Sequence, residues 1–349
     1  MGTAYEEVLS FLEMPSNYGA ILDWATGIIR VNRNYEQWEA ICLRKKNRAP
    51  TMDDKILLET ITHETTHFLQ ISTTGFLYSF AIELFGQVRK CVPAPITDFS
   101  GITSSPPKLI SKQICSTLDR LDVAGAEGVT IRSIVESGAF LVQKRTHWPN
   151  LTAEGFGKML DRECPAPEYR LAYDVSMRYL GKEAFDCYPI IAYLSLCTDS
   201  PPDAFVILCK DTVSRGLRIG EGLDVPPFLE LLNIIVTAYG FKLIGTSAEA
   251  AENLPRHPIY TQMVIQLNNL CEQSGFSVTN FMAAPYRITE MLAIESVRPM
   301  LFNKKMDRYW YLYVPDHFLP TMSREEKELE TKALLLLAAI SSKILSGVE

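Results

Sequence analysis

The stretch Ile61-Thr-His-Glu-Thr-Thr-His67 limits what this chain can fold into, because it places two histidines four residues apart. In a helix, residues at positions i and i+4 lie one turn apart on the same face, so both rings can contact one ligand. Phe68 and Leu69 follow directly and predict that the helix is buried. Two buried imidazoles need a polar partner, since burying an unpaired polar group costs free energy. The alternative is that the two histidines only cap a helix or hydrogen-bond within the core.

The spacing of His63, Glu64 and His67 is that of a zinc site on a helix. Imidazole nitrogen is a preferred zinc ligand, and two rings one turn apart span an edge of a tetrahedron. Glu64 is turned by about 100° from His63, which puts it near an ion but does not make it a ligand. A carboxylate there can accept a proton from a zinc-activated water and pass it to a leaving amine. The sequence therefore predicts Zn²⁺ as cofactor, with Glu64 as general base.

Catalytic zinc generally takes three protein ligands and leaves the fourth position to water. A third histidine in the short HExxHxxGxxH spacing is excluded, because Gln70 and Thr73 stand at the positions of the glycine and the histidine. Glu136 is the better candidate, since it lies in the middle of an otherwise apolar predicted helix and three small residues follow it. Small residues let two helices approach closely, and a mid-helix carboxylate in apolar surroundings needs a partner. We predict Glu136 as the third ligand.

Other assignments stay open at this point. Glu136 can instead pair with Arg132, four residues earlier on the same helix, and face solvent. Glu83 is the second candidate for the third ligand. The remaining histidines all stand beside or near a proline, which is typical of loops and turns. They are His147, His257 and His317.

His63-Glu64-x-x-His67 with a helical Glu136 downstream resembles the gluzincin branch of zinc metallopeptidases. The longer stretch His63-Glu-Thr-Thr-His-Phe-Leu-Gln70 resembles the HExxHFLQ version found in uncharacterised bacterial zincin-like proteins. The resemblance is confined to two helices. It implies a zincin-like core, zinc, a water nucleophile and peptide-bond hydrolysis, with His63, His67 and Glu136 as ligands and Glu64 as general base.

This chain departs from the gluzincin pattern at one position. Many gluzincins carry an aspartate one turn after the ligand glutamate, where it orients a zinc-binding histidine. Phe140 occupies that position here. We therefore expect the orienting hydrogen bond to come from another group, Gln143 or a backbone carbonyl.

Peptide hydrolysis also requires a hydrogen-bond donor for the oxyanion of the tetrahedral intermediate. We select Tyr173, because it lies one turn after Tyr169 and Arg170 on a predicted inward face. The other donors that the sequence offers are Tyr169, Arg170, Tyr179, Tyr188 and His147.

Composition places the chain among soluble globular proteins, with 47% apolar and 21% charged residues. The net charge of −7 argues weakly against a nucleic-acid partner. The longest apolar run, 333–340, is too short to span a bilayer, and the N-terminus lacks the pattern of a secretory signal. The eight cysteines are scattered without a CxxC pair, which favours reduced thiols. We expect a cytoplasmic protein that does not enter the membrane.

The apolar periodicity predicts an α+β fold that is predominantly α-helical, with a zincin-like core, a small N-terminal β-sheet and a helical C-terminal part. Residues 1–150 form the predicted zincin-like metal-binding region, with a β-hairpin, the HExxH helix and the third-ligand helix. Residues 151–349 form a helical domain that flanks the cleft. The expected elements are a hairpin over 20–32, a loop over 93–107, and helices over 4–12, 51–72, 76–90, 109–121, 130–144, 168–180, 188–197, 202–215, 226–239, 247–252, 258–273 and 323–346.

The function that follows is a zinc-dependent metallopeptidase acting on an intracellular protein or peptide, or on one specific partner protein. An alternative is a catalytically inactive zincin scaffold with a binding or regulatory role, which the missing aspartate motivates. A third interpretation is a helical interaction protein in which the two histidines are incidental. The sequence leaves the substrate and the oligomeric state open.

Overall fold

The computed structural model describes residue 12 and residues 19–91, 108–164, 166–214, 238–274, 299–302, 311–313 and 323–346. The fold is α+β and predominantly helical, as the sequence pattern predicted. The strands are β1 (Ala20–Asp23), β2 (Ile28–Val31), β3 (Met300–Phe302) and β4 (Tyr311–Tyr313). The helices are α1 (Tyr35–Lys46), α2 (Met52–Thr73), α3 (Gly75–Arg89), α4 (Lys108–Asp119), α5 (Ile131–His147), α6 (Ala153–Glu163), α7 (Glu168–Leu180), α8 (Ala184–Ser195), α9 (Pro201–Ser214), α10 (Ser247–Asn253), α11 (Tyr260–Ser274) and α12 (Arg324–Ser346).

The sheet has the strand order β1-β2-β3-β4. The predicted hairpin is confirmed: β1 and β2 are antiparallel, with Leu22 opposite Ile29. Strand β2 then pairs in parallel with β3, with Arg30 opposite Leu301, and β3 is antiparallel to β4. The sequence pattern did not predict β3 and β4, because three-residue strands are too short to show a period of two.

Helix α12 anchors the hairpin through two buried hydrogen bonds. The Ser341 hydroxyl donates to Asp23 Oδ1 at 3.0 Å. Arg30 donates from Nη1 to the Ser342 hydroxyl at 2.8 Å. Burial raises the pKa of Asp23, although the charge of Arg30 and the hydrogen bond from Ser341 oppose the shift. The hairpin is thus held by residues about 300 positions away, as well as by its own turn.

Helix α2 begins where its capping residues predict. The Thr51 hydroxyl accepts the Asp54 N–H at 3.2 Å, and the Asp54 carboxylate accepts the Thr51 N–H at 2.9 Å. Arg44 donates two hydrogen bonds of 2.7 Å to the same carboxylate and joins α1 to α2. These hydrogen bonds, led by the one from Arg44, lower the pKa of Asp54.

Helix α2 ends at a close approach of two backbones. The N–H of Gly75 donates to the Gly245 carbonyl at 3.0 Å. A Cβ at position 75 would lie 2.5 Å from that carbonyl oxygen, closer than any side chain tolerates. Glycine is therefore required where α2 gives way to α3.

Helices α2 and α5 lie side by side and run in opposite directions. Contacts between them progress from Gln70 with Val135 at one end to Glu59 with Lys144 at the other, where Nζ lies 2.8 Å from the carboxylate. Helix α7 also packs against α5, where Ser137 donates to the Glu168 carbonyl at 3.3 Å. This packing puts the middle of α2 and the middle of α5 opposite each other.

Two helices were missed in the sequence pattern. Helix α1 buries only Trp38 and Ile41, too few apolar positions for a clear stripe. Its last turn carries three basic residues, Arg44, Lys45 and Lys46. Helix α6 buries only Phe156 and Leu160, and it contains Gly155 and Gly157, which lower helix propensity. Helix α8 begins at Ala184, four residues before the predicted start.

Some predictions fall where the structure gives no description. The helix over 4–12, the loop over 93–107 and nearly all of the helix over 226–239 lie outside the described residues. The division at residue 150 stays a prediction, and elements from both sides of it are in contact, as α5 with α7 and β2 with β3. Among the helices described, none combines the length and the apolar character needed to cross a bilayer.

His257 is a buried connector between the hairpin and α11. Its Nε2 donates to the Ala25 carbonyl at 2.7 Å. Its Nδ1 accepts the N–H groups of Ile259 at 3.1 Å and Tyr260 at 3.0 Å. Because Nδ1 accepts, the ring is neutral, and burial lowers the pKa of His257 to about 4. This histidine is a structural residue of the core.

We predict that His257 makes the protein sensitive to mild acid. Its folded pKa lies below its unfolded value, so its contribution to stability is complete above about pH 6.5 and is lost as the pH falls towards 4. Between pH 7.5 and 5.0 this loss amounts to about 2 kcal/mol in the free energy of unfolding. Urea unfolding of the wild type and His257→Gln at both pH values measures it. The variant should be less stable at pH 7.5 and lose less on acidification, and equal losses in the two proteins would contradict the prediction.

Candidate metal centre

The structure brings together the three side chains that the sequence predicted as ligands. Nε2 of His63 lies 3.0 Å from Nε2 of His67. Oε2 of Glu136 lies 3.1 Å from the first nitrogen and 3.3 Å from the second. Both rings are buried, and the Glu136 side chain is 13% exposed. Helix α2 therefore supplies two nitrogen atoms and α5 supplies one oxygen atom, all directed at one point.

The donor set fits a zinc ion. Three ligand atoms at zinc–nitrogen and zinc–oxygen distances of 2.0–2.1 Å in a tetrahedron are separated by about 3.3 Å. The observed separations of 3.0–3.3 Å are close to this value. Two imidazole nitrogens and one carboxylate are also a common ligand set of catalytic zinc, with the fourth position left open. His63, His67 and Glu136 form the one cluster of this kind within the part of the chain that the structure describes.

The electrostatics of the cluster favour a shared positive charge. Burial alone would raise the pKa of Glu136, but the charge of His67 and hydrogen bonds from both rings lower it well below its usual value. Burial alone would lower the pKa of His67, but the carboxylate of Glu136 raises it to about 9. The Glu136 carboxylate therefore stays ionised and attracts positive charge. A bound metal ion can supply this charge in place of a proton.

The alternative partners are engaged elsewhere. Arg132 forms a two-point ion pair with Asp122, at 2.7 and 2.9 Å. Glu83 lies in a surface pair with Arg120 at 2.6 Å. The ring of His147 contacts the Thr62 hydroxyl at 2.9 Å. His317 lies outside the described residues.

Glu64 lies on the adjoining face of α2, beside strand β1. Its Oε2 accepts the Leu22 N–H at 2.8 Å. Leu22 can donate there because β1 is an edge strand, and alternate N–H groups of an edge strand point away from the sheet. Burial raises the pKa of Glu64, although the charges of His63 and His67 lower it. A half-buried carboxylate of raised basicity close to the ligand cluster suits a proton acceptor.

Tyr169, in the first turn of α7, is the tyrosine that reaches the cluster. Its ring stacks on His63, with centroids 5.5 Å apart and planes inclined by 23°. Burial, the charges of Glu136 and Glu64, and a hydrogen bond to Glu136 all raise its pKa. The hydroxyl therefore keeps its proton at neutral pH and can donate a hydrogen bond.

Tyr173, selected in the sequence analysis, lies one turn further along α7 in an aromatic cluster. Its ring centroid is 4.9 Å from that of Phe156 and 5.8 Å from that of Tyr188. Its buried hydroxyl has no hydrogen-bond partner among the described residues. Tyr169 and Tyr173 are four residues apart on one face of α7, so the spacing alone could not show which of them lies nearer the ligand cluster.

The orienting hydrogen bond comes from a residue that the sequence analysis did not select. Nδ1 of His67 lies 3.0 Å from Oε1 of Gln70. Gln143, the residue expected there, donates instead to Glu59 at 3.2 Å. Phe140 packs edge-on against Tyr169, with centroids 6.0 Å apart. The signal for Gln70 was its position three residues after His67, on the same helical face.

We predict one zinc ion per chain in protein loaded with zinc and freed of excess metal by gel filtration. His63→Ala and Glu136→Gln should each lower zinc affinity by more than the roughly 10–100-fold that loss of an outer hydrogen bond costs. Competition with a chromophoric chelator measures the affinity.

His147→Ala and Glu83→Gln are the matched controls, since both remove a residue of the same type away from the cluster. They should bind zinc as the wild type does. Equal zinc binding by His63→Ala and His147→Ala would contradict the assignment of the site.

Comparison with protein-family models, with curated proteins and with solved structures finds no match for this chain. Two helices place two imidazole nitrogens and a carboxylate oxygen within 4.8 Å of one another. A carboxylate and a tyrosine lie beside them.

Proposed function

We propose that this chain is a zinc-dependent peptidase that hydrolyses a peptide bond of a cytoplasmic protein or peptide. The observation that carries the proposal is the convergence of His63, His67 and Glu136, with separations of 3.0–3.3 Å between their ligand atoms. Glu64 and Tyr169 beside this cluster supply the two other groups that peptide hydrolysis needs. When bound, zinc supplies a Lewis acid that polarises the scissile carbonyl and makes water more acidic.

Glu64 is the proton carrier in this proposal. Its carboxylate accepts a proton as the water oxygen forms its bond to the carbonyl carbon, and it returns the proton to the amine nitrogen as the C–N bond breaks. Its half-buried position supports this role, because removal from water raises its pKa and so makes it a stronger base than an exposed glutamate. The Leu22 N–H, at 2.8 Å, holds one of its oxygens and fixes its direction.

Tyr169 is the donor for the developing oxyanion. Its hydroxyl is protonated at neutral pH, because burial and the neighbouring carboxylates raise its pKa. Its stacking on His63 keeps it on the ligand side of α7, whereas Tyr173 is enclosed by other aromatic rings. A donor placed before the reaction stabilises negative charge without having to reorganise.

Apolar rings around the ligands support a site of low water content. Trp24, at the end of β1, packs on His67 with centroids 5.6 Å apart, and also on Phe80 at 5.9 Å. Electrostatic interactions are stronger where water is excluded. The rings thus strengthen the interaction of Glu136 and Glu64 with any positive charge between them.

A second candidate is a metal-holding scaffold that binds a partner without cleaving it. The hydrogen bond from Leu22 to Glu64 favours it, because it occupies one oxygen of the base when no substrate is present. The two candidates differ in what Glu64 does, so substitution of this residue separates them.

We predict that Glu64→Gln retains zinc and loses hydrolysis by at least about 10²-fold, the lower end of what a general base contributes. The amide has the same shape as the carboxylate but cannot accept the proton. Fluorescence-quenched peptide libraries, incubated with zinc-loaded protein, measure cleavage, and chelator competition measures zinc. Unchanged cleavage would exclude Glu64 as base, and a wild type that cleaves no library peptide would favour the scaffold.

Tyr169→Phe, assayed at saturating zinc, should lower kcat by roughly 10²–10³-fold on the same substrates, as loss of an oxyanion donor does. Because its hydroxyl also hydrogen-bonds to Glu136, zinc affinity should fall by no more than roughly 10–100-fold. Tyr173→Phe is the matched control, since it removes a hydroxyl from the same face of α7. It should change kcat little. The opposite ranking of the two variants would assign the oxyanion to Tyr173.

A further inference from the structure

Gln70 connects the two ligand helices at the cluster. Its side chain is buried, and it is 4% exposed as a residue. On one side its Oε1 lies 3.0 Å from Nδ1 of His67. On the other its Nε2 donates to the Val135 carbonyl at 3.3 Å, one residue before Glu136. One amide thus contacts a ligand on α2 and the backbone beside the ligand on α5.

The direction of this amide is fixed by chemistry. A carbonyl oxygen can only accept, so the NH₂ group of Gln70 must face Val135, and its carbonyl oxygen must then face His67. That oxygen can only accept, so Nδ1 of His67 must carry a proton. In the neutral ring, Nε2, the atom that faces His63 and Glu136, then keeps its lone pair for a metal that displaces the second proton.

The neighbouring residues keep the amide in place. A Cβ at position 138 would lie 3.1 Å from Nε2 of Gln70, so Gly138 leaves the space that the amide fills. Tyr188 lies beside the same position, with Cε1 3.5 Å from that Cβ, and its hydroxyl donates to the Ile134 carbonyl at 2.8 Å. His63 has no comparable contact, since its buried Nδ1 is without a hydrogen-bond partner among the residues described.

We infer that Gln70 is a positioning residue: it fixes the tautomer of His67 and holds Glu136 in register with it, and Gly138 makes room for it. The inference rests on the proposed zinc site and deepens it. Gln70 takes the place of the carboxylate that would otherwise orient a zinc-bound imidazole. Because an amide carries no charge, the site gains an oriented ring without a second buried anion.

Cobalt titration of metal-free protein tests the inference, because the visible spectrum of Co²⁺ reports ligand geometry. Gln70→Met keeps the volume and removes both hydrogen bonds, and we expect it to lower Co²⁺ affinity by 10–100-fold. Gln70→Glu keeps an acceptor for Nδ1 but loses the donor to Val135. It should recover most of the affinity, with a shifted spectrum.

Gly138→Ala and Gln143→Met complete the set. The first places a methyl group against the amide and should weaken Co²⁺ binding although it changes no ligand. The second removes the side-chain amide of Gln143, which lies on α5 with Gly138 and contacts Glu59. This variant should bind Co²⁺ as the wild type does. Thermal unfolding of each metal-free variant separates a loss of affinity from a loss of fold.

Proton NMR of the zinc-loaded wild type gives a test that needs no variant to fold. An Nδ1–H resonance of His67, protected from exchange with water, is expected, and its absence would overturn the inference. So would a Gln70→Met protein that folds and binds Co²⁺ as tightly as the wild type. A wild type that binds neither metal would overturn both this inference and the proposed function. A wild type that binds Co²⁺ but cleaves no peptide would overturn the peptidase alone.

Discussion

The structure depends on one constraint, the burial of two imidazoles and a carboxylate between α2 and α5. An ionised carboxylate away from water is costly unless a positive charge lies beside it. Here that charge comes from the histidine rings, because Glu136 is directed between them at 3.1 and 3.3 Å and raises the pKa of His67 to about 9. Small residues next to Glu136 allow the helices to come this close. The same arrangement supports the proposal that a cation binds between the two helices.

Other parts of the molecule are arranged around this contact. The hairpin places Leu22 on Glu64 and Trp24 against His67. Helix α7 stacks Tyr169 on His63. The hairpin thus contacts two of the three groups of the HExxH turn and α7 contacts the third, and neither of these elements is adjacent to α2 in the chain. The precision of the site is a property of the tertiary structure.

The sequence predicted that His63, His67 and Glu136 come together because their signal is local: a spacing of four on one helix, and a glutamate in an apolar helix next to small residues. Their role as metal ligands stays a prediction. The sequence also predicted the bounds of α2 through the cap at Thr51, where side chain and backbone interact within four residues. The spacing did not distinguish Tyr169 from Tyr173. One face of α7 contacts the ligand cluster at the start of the helix and an aromatic cluster one turn later. The orienting role of Gln70 was not predicted, because its two partners lie on either side of a helix contact; in the sequence this residue served to rule out the short HExxHxxGxxH spacing. The pairing of β2 with β3 joins residues about 270 positions apart and left no local trace.

The anchoring of the hairpin by Ser341 and Ser342 has a consequence for the order of assembly. Strand β1, which contacts Glu64 through Leu22, is held by α12, the last described helix to be synthesised. The two ligand helices are translated long before it. During synthesis the nascent protein can therefore bring the three clustered side chains of α2 and α5 together before α12 is available to support the strand that contacts Glu64.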